Sequence, residues 1–447
     1  MTTATVYLAT LGSRRYYAPA ILKFTTFVLL SLVTYVRWTQ PTPRCVNDEV
    51  RYTEIVDAKV RGVVLPISGP GYVWLVSTVS STANVATPQA VALVGWLGAA
   101  LLLGTLAFVL RNTVPTLALP AIAAIVCTSY FWAGISESRP QLFGYSALLM
   151  ASWLLSQLAR SDATNPRVTL GLLALSALTA MFHILTFFMF GCLCAATLVA
   201  IQMKRNVVAR TRISRTLVTT VTVGAAIILF PGGPYSAMIS DIVTAHVINP
   251  MLILGVCVGA VTIGSMTLGL VRRGGWAHAE RLTTQCSSLN SDRAAMLIAA
   301  AAVALFSVQA ALLPNEYWLV YNRSLLRFVA SQWGNIMYAV LFLLGARTCF
   351  NLIRDGKLDQ GMIVFLAATL VTALVSAAFL VISLGLLHTN WMLRAVDYAV
   401  MFGGPIAAYG VMHLWRRNPV ATLILLSTGM SAGVMAGTKS SLFFVSC

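Results

Sequence analysis

The sequence predicts an all-α, polytopic membrane protein of about 12 to 13 transmembrane helices, with surface helices in its outer loops. Three observations lead to this fold class. Hydrophobic residues make up 58% of the 447 residues, and charged residues make up only 10%. Apolar runs of about 20 residues, long enough to cross a bilayer as helices, recur along the chain. Basic residues are concentrated in alternate connections between these runs, as the positive-inside rule requires.

Thirteen apolar segments are predicted to cross the membrane, with twelve as the alternative because glycines weaken the last one. The predicted ranges are 21–38, 87–110, 113–134, 140–158, 168–181, 184–202, 216–232, 247–271, 294–313, 333–349, 361–386, 396–415 and 420–436. The run over 168–202 is too long for one crossing of about 30 Å at 1.5 Å per residue, so it is divided near Phe182–His183. No polar block is long enough for a separate soluble domain, and residues 1–447 are expected to form a single transmembrane domain.

The charge distribution predicts a cytoplasmic N-terminus. With this topology, 20 of the 30 basic residues and five of the 13 acidic residues lie on the inner side. Asp397 is counted with the outer acids, at the mouth of a late span. The net charge of +17 is thus explained by topology, and it gives no support for nucleic-acid binding. The basic run KRNVVARTRISR at 204–215 is interpreted as a cytoplasmic loop facing anionic lipids, and the plasma membrane is the expected location.

The first outer loop contains an unusually charged segment, NDEVRYTEI at 47–55. As a helix over 46–60, this segment has Asp48, Arg51 and Tyr52 on one face, because these positions are about one helical turn apart. A weakly amphipathic helix on the membrane surface is therefore predicted. The alternative is a solvated loop with a local ion pair, which would contribute little to stability.

Two further outer positions carry polar side chains. Glu137 and Arg139 immediately precede Pro140, a residue that can open a transmembrane helix. An ionisable pair at that depth is costly unless it faces protein, water or ligand; the alternative is a pair that extends to the interface. His183 lies at the predicted turn in LTAMFHILTFF, where a structural histidine is the alternative to a functional one.

The order of these segments resembles the GT-C membrane glycosyltransferases, in particular the group of protein O-mannosyltransferases and lipid A aminoarabinose transferases. The similar segments are Asp48-Glu49-Val50-Arg51-Tyr52-Thr53-Glu54-Ile55, the aromatic half-helix within 66–81, Glu137 with Arg139, and Leu178–His183. The resemblance covers about residues 48–200, one third of the chain. It implies a GT-C-like fold, with residues 1–200 as the catalytic module and residues 201–447 as the remaining membrane helices.

The resemblance implies a hexosyl- or pentosyltransferase that moves a sugar from a polyprenyl-phosphate donor to a lipid, glycan or protein acceptor outside the cytoplasm. Asp48 is implied as the general base, Glu49 as its structural or metal-linked partner, and Glu137 as a second carboxylate. The candidate ligands of the donor phosphate and the other substrate groups are Arg51, Tyr52, Lys59, Arg61, Arg139, His183, Arg323 and Arg327. No cofactor is specified, and a divalent metal is left open.

The sequence leaves other interpretations of these residues open. Arg323 and Arg327 belong to an outer segment with interleaved aromatic residues, which is also typical of a helix held at the membrane interface. The eight cysteines include no C-x-x-C pair, so no metal ligands are predicted. A transporter or flippase for a lipid-linked or anionic substrate is the first alternative function, and a non-catalytic membrane subunit is the second. A transporter needs polar groups near the midplane, whereas an enzyme needs Asp48 and Glu137 in one outer cavity.

Overall fold

The structure is a computed structural model, and its regular elements are all helical. It describes residues 18–38, 47–60, 70–136, 140–160, 165–201, 207–229, 325–355, 357–358, 361–366, 369 and 389–443. Across these ranges there is no β-strand, so the all-α prediction is confirmed for them. The predicted spans over 247–271 and 294–313, and most of the span over 361–386, lie outside the described residues.

The helices follow one another with short connections in the N-terminal half. They are α1 (Ala18–Trp38), α2 (Asn47–Val60), α3 (Pro70–Ala83), α4 (Thr87–Thr113), a 3-10 turn (Pro115–Leu117), α5 (Ala118–Val126), α6 (Ser129–Ser136), α7 (Gln141–Arg160), α8 (Pro166–Phe182), α9 (Ile184–Ile201), α10 (Val207–Leu229), α11 (Leu325–Arg354), α12 (Thr389–Arg417) and α13 (Pro419–Phe443). By length and composition, α4, α7 and α10 could each cross a membrane, which indicates a membrane protein. Helix α7 lies centrally, in contact with α4, α8, α9 and α12.

The division of the long apolar run near residue 183 is confirmed. Helix α8 ends at Phe182, and α9 begins at Ile184. His183, between them, has extended backbone angles (φ −168°, ψ 120°). Helix α10 begins at Val207, so most of the basic run at 204–215 is helical rather than a loop. Arginine and alanine are both good helix formers, which explains this earlier start.

The continuous helix predicted over 113–134 is wrong, because α5 and α6 are separated at Thr128. The Thr128 hydroxyl donates to the Ile125 carbonyl (2.8 Å) and accepts from the Phe131 N–H (3.2 Å). The side-chain oxygen of Asn335 on α11 accepts the first N–H of α6 at 3.0 Å. In apolar surroundings a helix break is tolerated where such partners satisfy the freed backbone groups.

The helix predicted over 46–60 is confirmed as α2, which packs against α3 and α4. Tyr52 and Val56 are each only 3% exposed, in an apolar cluster that includes Tyr72 of α3. Asp57, on the exposed side, accepts a hydrogen bond from the Thr87 hydroxyl at the start of α4 (2.8 Å). An apolar face and the hydrogen bond between Asp57 and Thr87 thus attach the helix to its neighbours.

Helices α11 and α12 pack with their backbones in contact. A Cβ atom at Gly345 of α11 would overlap the Ile406 carbonyl, and one at Gly410 of α12 would overlap the Leu341 carbonyl. Small residues at such positions let membrane helices approach closely, which increases their van der Waals contact. Gly433 of α13 has a similar role, since a Cβ atom there would overlap the Cys127 carbonyl. The glycines do not interrupt this last helix, which extends over Pro419–Phe443.

We expect Gly410→Ala to lower the stability of the protein. The new Cβ would press on the Leu341 carbonyl, a backbone atom that cannot move without shifting α11. Overpacking of this kind costs about 1–3 kcal/mol. Gly104→Ala on α4 is the matched control, because nothing lies within 4 Å of a Cβ atom there. The midpoint of thermal unfolding in detergent should fall for Gly410→Ala alone; equal midpoints would argue against this close packing.

Candidate functional site

A line of aromatic rings joins α2, α3, α7 and α8. The ring centroids are 4.8 Å apart for Tyr52 and Tyr72, 6.5 Å for Tyr72 and Phe143, and 5.1 Å for Phe143 and Phe182. These separations lie in the range in which aromatic pairs attract one another. Gly71 permits the approach of α3 to α8, since a Cβ atom there would lie 2.9 Å from the Phe182 ring. The start of α3 is therefore adjacent to α2, and the rings of Tyr72 and Phe143 connect it to the start of α7 and the end of α8.

A buried polar cluster continues this line of rings. It consists of Gln141, Tyr145, His183, Thr186, Asp397 and Tyr398. Each of these six side chains is at most 4% exposed. His183 follows the last ring of the line, and Gln141 is the first residue of α7. Buried polar groups are costly unless they form hydrogen bonds, so their partners decide what the polar cluster can do.

The junction between α8 and α9 is bound to α7 and α12 by hydrogen bonds. The hydroxyl oxygens of Thr186 and Tyr398 are 2.6 Å apart, and the Thr186 N–H donates to His183 Nδ1 at 3.3 Å. The other ring nitrogen of His183 lies 3.4 Å from Gln141 Nε2. Gly144 leaves room for this arrangement, because a Cβ atom there would lie 2.5 Å from the Thr186 hydroxyl.

The carboxylate of the polar cluster lies between α7 and α12. Tyr145 donates to Asp397 Oδ2 at 3.4 Å, and the rings of Tyr145 and Tyr398 meet edge to face at 4.8 Å. Tyr145 is four residues after the start of α7, or about 6 Å along the helix axis. Asp397 is therefore near one end of α7 rather than at its middle.

Tyr52 and His183 are the predicted site residues whose side chains the structure describes. The line of aromatic rings brings their segments together, with Tyr52 at one end and His183 beyond the other. The remaining predicted site residues have side chains outside the described part of the chain: Asp48, Glu49, Arg51 and Lys59 on α2, Arg327 on α11, and, with their backbones also outside it, Arg61, Glu137, Arg139 and Arg323. Their roles stay predictions.

Sequence reasoning missed most of the polar cluster. Asp397 carried a signal, since a carboxylate within an apolar span is costly and commonly functional, but its position at the mouth of a span led only to the prediction of an outer acid. Tyr145, Thr186 and Tyr398 carry no such signal, because hydroxyl side chains are common in membrane helices. These three residues form one cluster because α7, α9 and α12 are in contact. The order of the spans does not predict that contact.

The polar cluster contains both hydrogen-bond donors and hydrogen-bond acceptors. It combines one carboxylate, one imidazole, one amide and three hydroxyl groups. Within the described ranges, no three His, Cys, Asp or Glu residues are grouped so that they could hold a metal ion. No family model matches this chain, and no curated protein matches it.

Proposed function

We propose that the protein is an integral-membrane glycosyltransferase, which transfers a sugar from a polyprenyl-phosphate donor to an acceptor on the non-cytoplasmic side. The observation that carries this proposal is the line of aromatic rings through Tyr52, Tyr72, Phe143 and Phe182. These rings belong to or directly adjoin the four segments on which the resemblance to GT-C glycosyltransferases rests. The segments are far apart in sequence, so their contact supports a common site.

In the proposed reaction, the acceptor hydroxyl attacks the anomeric carbon, and the bond from that carbon to the phosphate oxygen breaks. Asp48 takes the proton of the attacking hydroxyl, as a positioned general base. The phosphate leaves on its polyprenyl carrier with one additional negative charge, which Arg51 and Arg139 neutralise. Position 48 is one turn before Tyr52 on α2, and position 139 is two residues before Gln141 at the start of α7. Both positions are therefore close in sequence to the line of aromatic rings.

The decisive experiment is a transfer assay with the purified protein in lipid vesicles. We expect labelled sugar to pass from polyprenyl phosphate to a lipid, glycan or protein acceptor, and not from a soluble nucleotide sugar. Nucleotide sugars are cytoplasmic, whereas the proposed site is on the other side of the membrane. Transfer from a nucleotide sugar in the absence of any lipid carrier would contradict the proposed donor.

The proposed topology has about 12 to 13 spans in the plasma membrane, with the N-terminus in the cytoplasm. In a cysteine-free background, an impermeant thiol reagent added from outside should label Asn47→Cys and spare Asn206→Cys. The physical reason is the excess of basic residues on the side that contains position 206. The opposite labelling pattern would overturn both the topology and the placement of the site.

The second candidate function is a transporter or flippase for a lipid-linked or anionic substrate. The buried carboxylate of Asp397, between α7 and α12, favours it. Its contact with Tyr145 lies about 6 Å along α7 from the first residue of the helix, whereas the middle of a membrane crossing of about 30 Å lies about 15 Å from either end. This position near the end of the helix supports the enzyme. Movement of a labelled lipid across vesicles without sugar transfer would support the transporter instead.

A further inference from the structure

We infer that the buried polar cluster binds a hydroxyl-bearing group, and that under the proposed function this group is the sugar of the donor. The inference deepens the proposed function and rests on it for the identity of the ligand. His183 is the one member of the polar cluster to which the resemblance assigns a role. The polar cluster lies beside the aromatic rings of the proposed site, because His183 directly follows Phe182, the last of these rings.

The first observation concerns the amide of Gln141, which is only 1% exposed. His183 Nδ1 accepts a hydrogen bond from the Thr186 N–H, so the neutral imidazole carries its proton on Nε2. That nitrogen faces the amide at 3.4 Å. With the amino group toward His183, two donors would face each other, and Oε1 has no partner in the described part of the chain. In the rotated amide, Oε1 accepts from the His183 Nε2–H, and the amino group points to the position of the former Oε1 as a donor.

This arrangement restricts the chemistry of the ligand. A group that pairs with both the rotated amide of Gln141 and the carboxylate of Asp397 must accept from the first and donate to the second. A hydroxyl group does both, whereas a carboxylate only accepts and an ammonium only donates. Leaving such a buried polar atom without a partner is costly, so a bound hydroxyl would be held more firmly here than at an exposed amide.

The second observation concerns Asp397. Its hydrogen bond from the Tyr145 hydroxyl is 3.4 Å long, beyond the usual range of about 2.5–3.0 Å for two oxygen atoms. A ligand hydroxyl at ordinary distance would be a stronger donor to this carboxylate. A metal ion fits less well, because Asp397 is the one acid among the six residues. A sugar ring presents several hydroxyl groups together with C–H faces that can pack on the rings of Tyr145 and Tyr398.

The test uses the full-length protein and measures discrimination between donors. The probes are polyprenyl phosphates carrying mannose, glucose, galactose or arabinose, followed by singly deoxygenated analogues of the preferred sugar. The wild type should favour the complete sugar over at least one deoxy analogue in kcat/KM. Gln141→Leu should reduce this preference about tenfold or more, because the buried partner of one hydroxyl is removed. Tyr145→Phe, which only removes a hydroxyl group, should reduce it less.

Ser152→Ala is the matched control on the same helix. Ser152 is buried like Gln141, but its hydroxyl donates to the Leu148 carbonyl within α7, away from the polar cluster. The preference of Ser152→Ala for the complete sugar should equal that of the wild type. If Gln141→Leu does not fold, Tyr145→Phe and Tyr398→Phe preserve the shape of the polar cluster and provide the same comparison. A purely structural polar cluster, or one filled by water, would leave the ratio between sugars unchanged in every variant, and that result overturns the inference.

A binding measurement separates this inference from the proposed function. The wild type should be protected from thermal unfolding more strongly by a sugar-bearing polyprenyl phosphate than by the sugar-free carrier. Gln141→Leu should lose that difference and keep the protection by the carrier alone. If the wild type binds in this way without transferring sugar, the proposed reaction fails and the sugar site stands. If transfer occurs while Gln141→Leu discriminates and binds like the wild type, the reaction stands and the sugar site fails.

Discussion

Asp48→Asn is expected to reduce sugar transfer by about 10²- to 10⁴-fold, the usual contribution of a positioned general base. The asparagine has nearly the same shape as aspartate, but it cannot accept the proton of the attacking hydroxyl. Because the change acts on the transition state, kcat should fall while KM stays close to its wild-type value. Labelled transfer from a polyprenyl-phosphate donor, in membranes with matched amounts of protein, measures both constants.

Glu54→Gln provides the control for this substitution. Glu54 is exposed on the same helix, α2, and the conversion again replaces a carboxylate by an amide. Its turnover and thermal midpoint should stay close to those of the wild type, as expected for an exposed surface residue. If Asp48→Asn has the same turnover as Glu54→Gln, then α2 is a surface helix without a role in catalysis, and the assignment of Asp48 is wrong.

The parts of the fold that the sequence predicted well are those that depend on local rules. Helix α2 was predicted from the spacing of its charged and aromatic residues, and it extends over Asn47–Val60. The division at His183 was predicted because a helix of 1.5 Å per residue cannot extend from 168 to 202 within one bilayer crossing. Both predictions needed only the geometry of a single helix.

The parts that the sequence did not predict depend on contacts between distant segments. The break at Thr128 is stabilised in part by Asn335, which is 206 positions from its partner Ser129, so local hydrophobicity could not indicate it. The burial of Tyr52 on α2 depends on Tyr72 of α3, and hydrophobic spacing within α2 alone did not identify this face. In the same way, Asp397 belongs to the polar cluster only because α12 packs against α7 beside Tyr145.

Arg139→Ala is expected to weaken donor binding and turnover together. In the proposed site its guanidinium pairs with the donor phosphate, both before the transfer and as the phosphate leaves. Removing one member of such a charge pair costs about 2–5 kcal/mol, or about 30- to several thousand-fold in kcat/KM. Arg139→Lys keeps the charge but loses the two parallel hydrogen bonds of the guanidinium, so it should recover part of the loss.

A structural role for Arg139 would produce a different result, and inhibition by the sugar-free carrier separates the two. Polyprenyl phosphate should inhibit the wild type as a product, and its inhibition constant should rise in Arg139→Ala because the phosphate itself loses a partner. Arg167→Ala, at an exposed position at the start of α8, is the control and should leave both constants unchanged. An inhibition constant that does not change in Arg139→Ala would show that this residue does not bind the phosphate, whatever the loss of activity. The ligand of the phosphate would then have to be sought among the other predicted cations, beginning with Arg51 on α2.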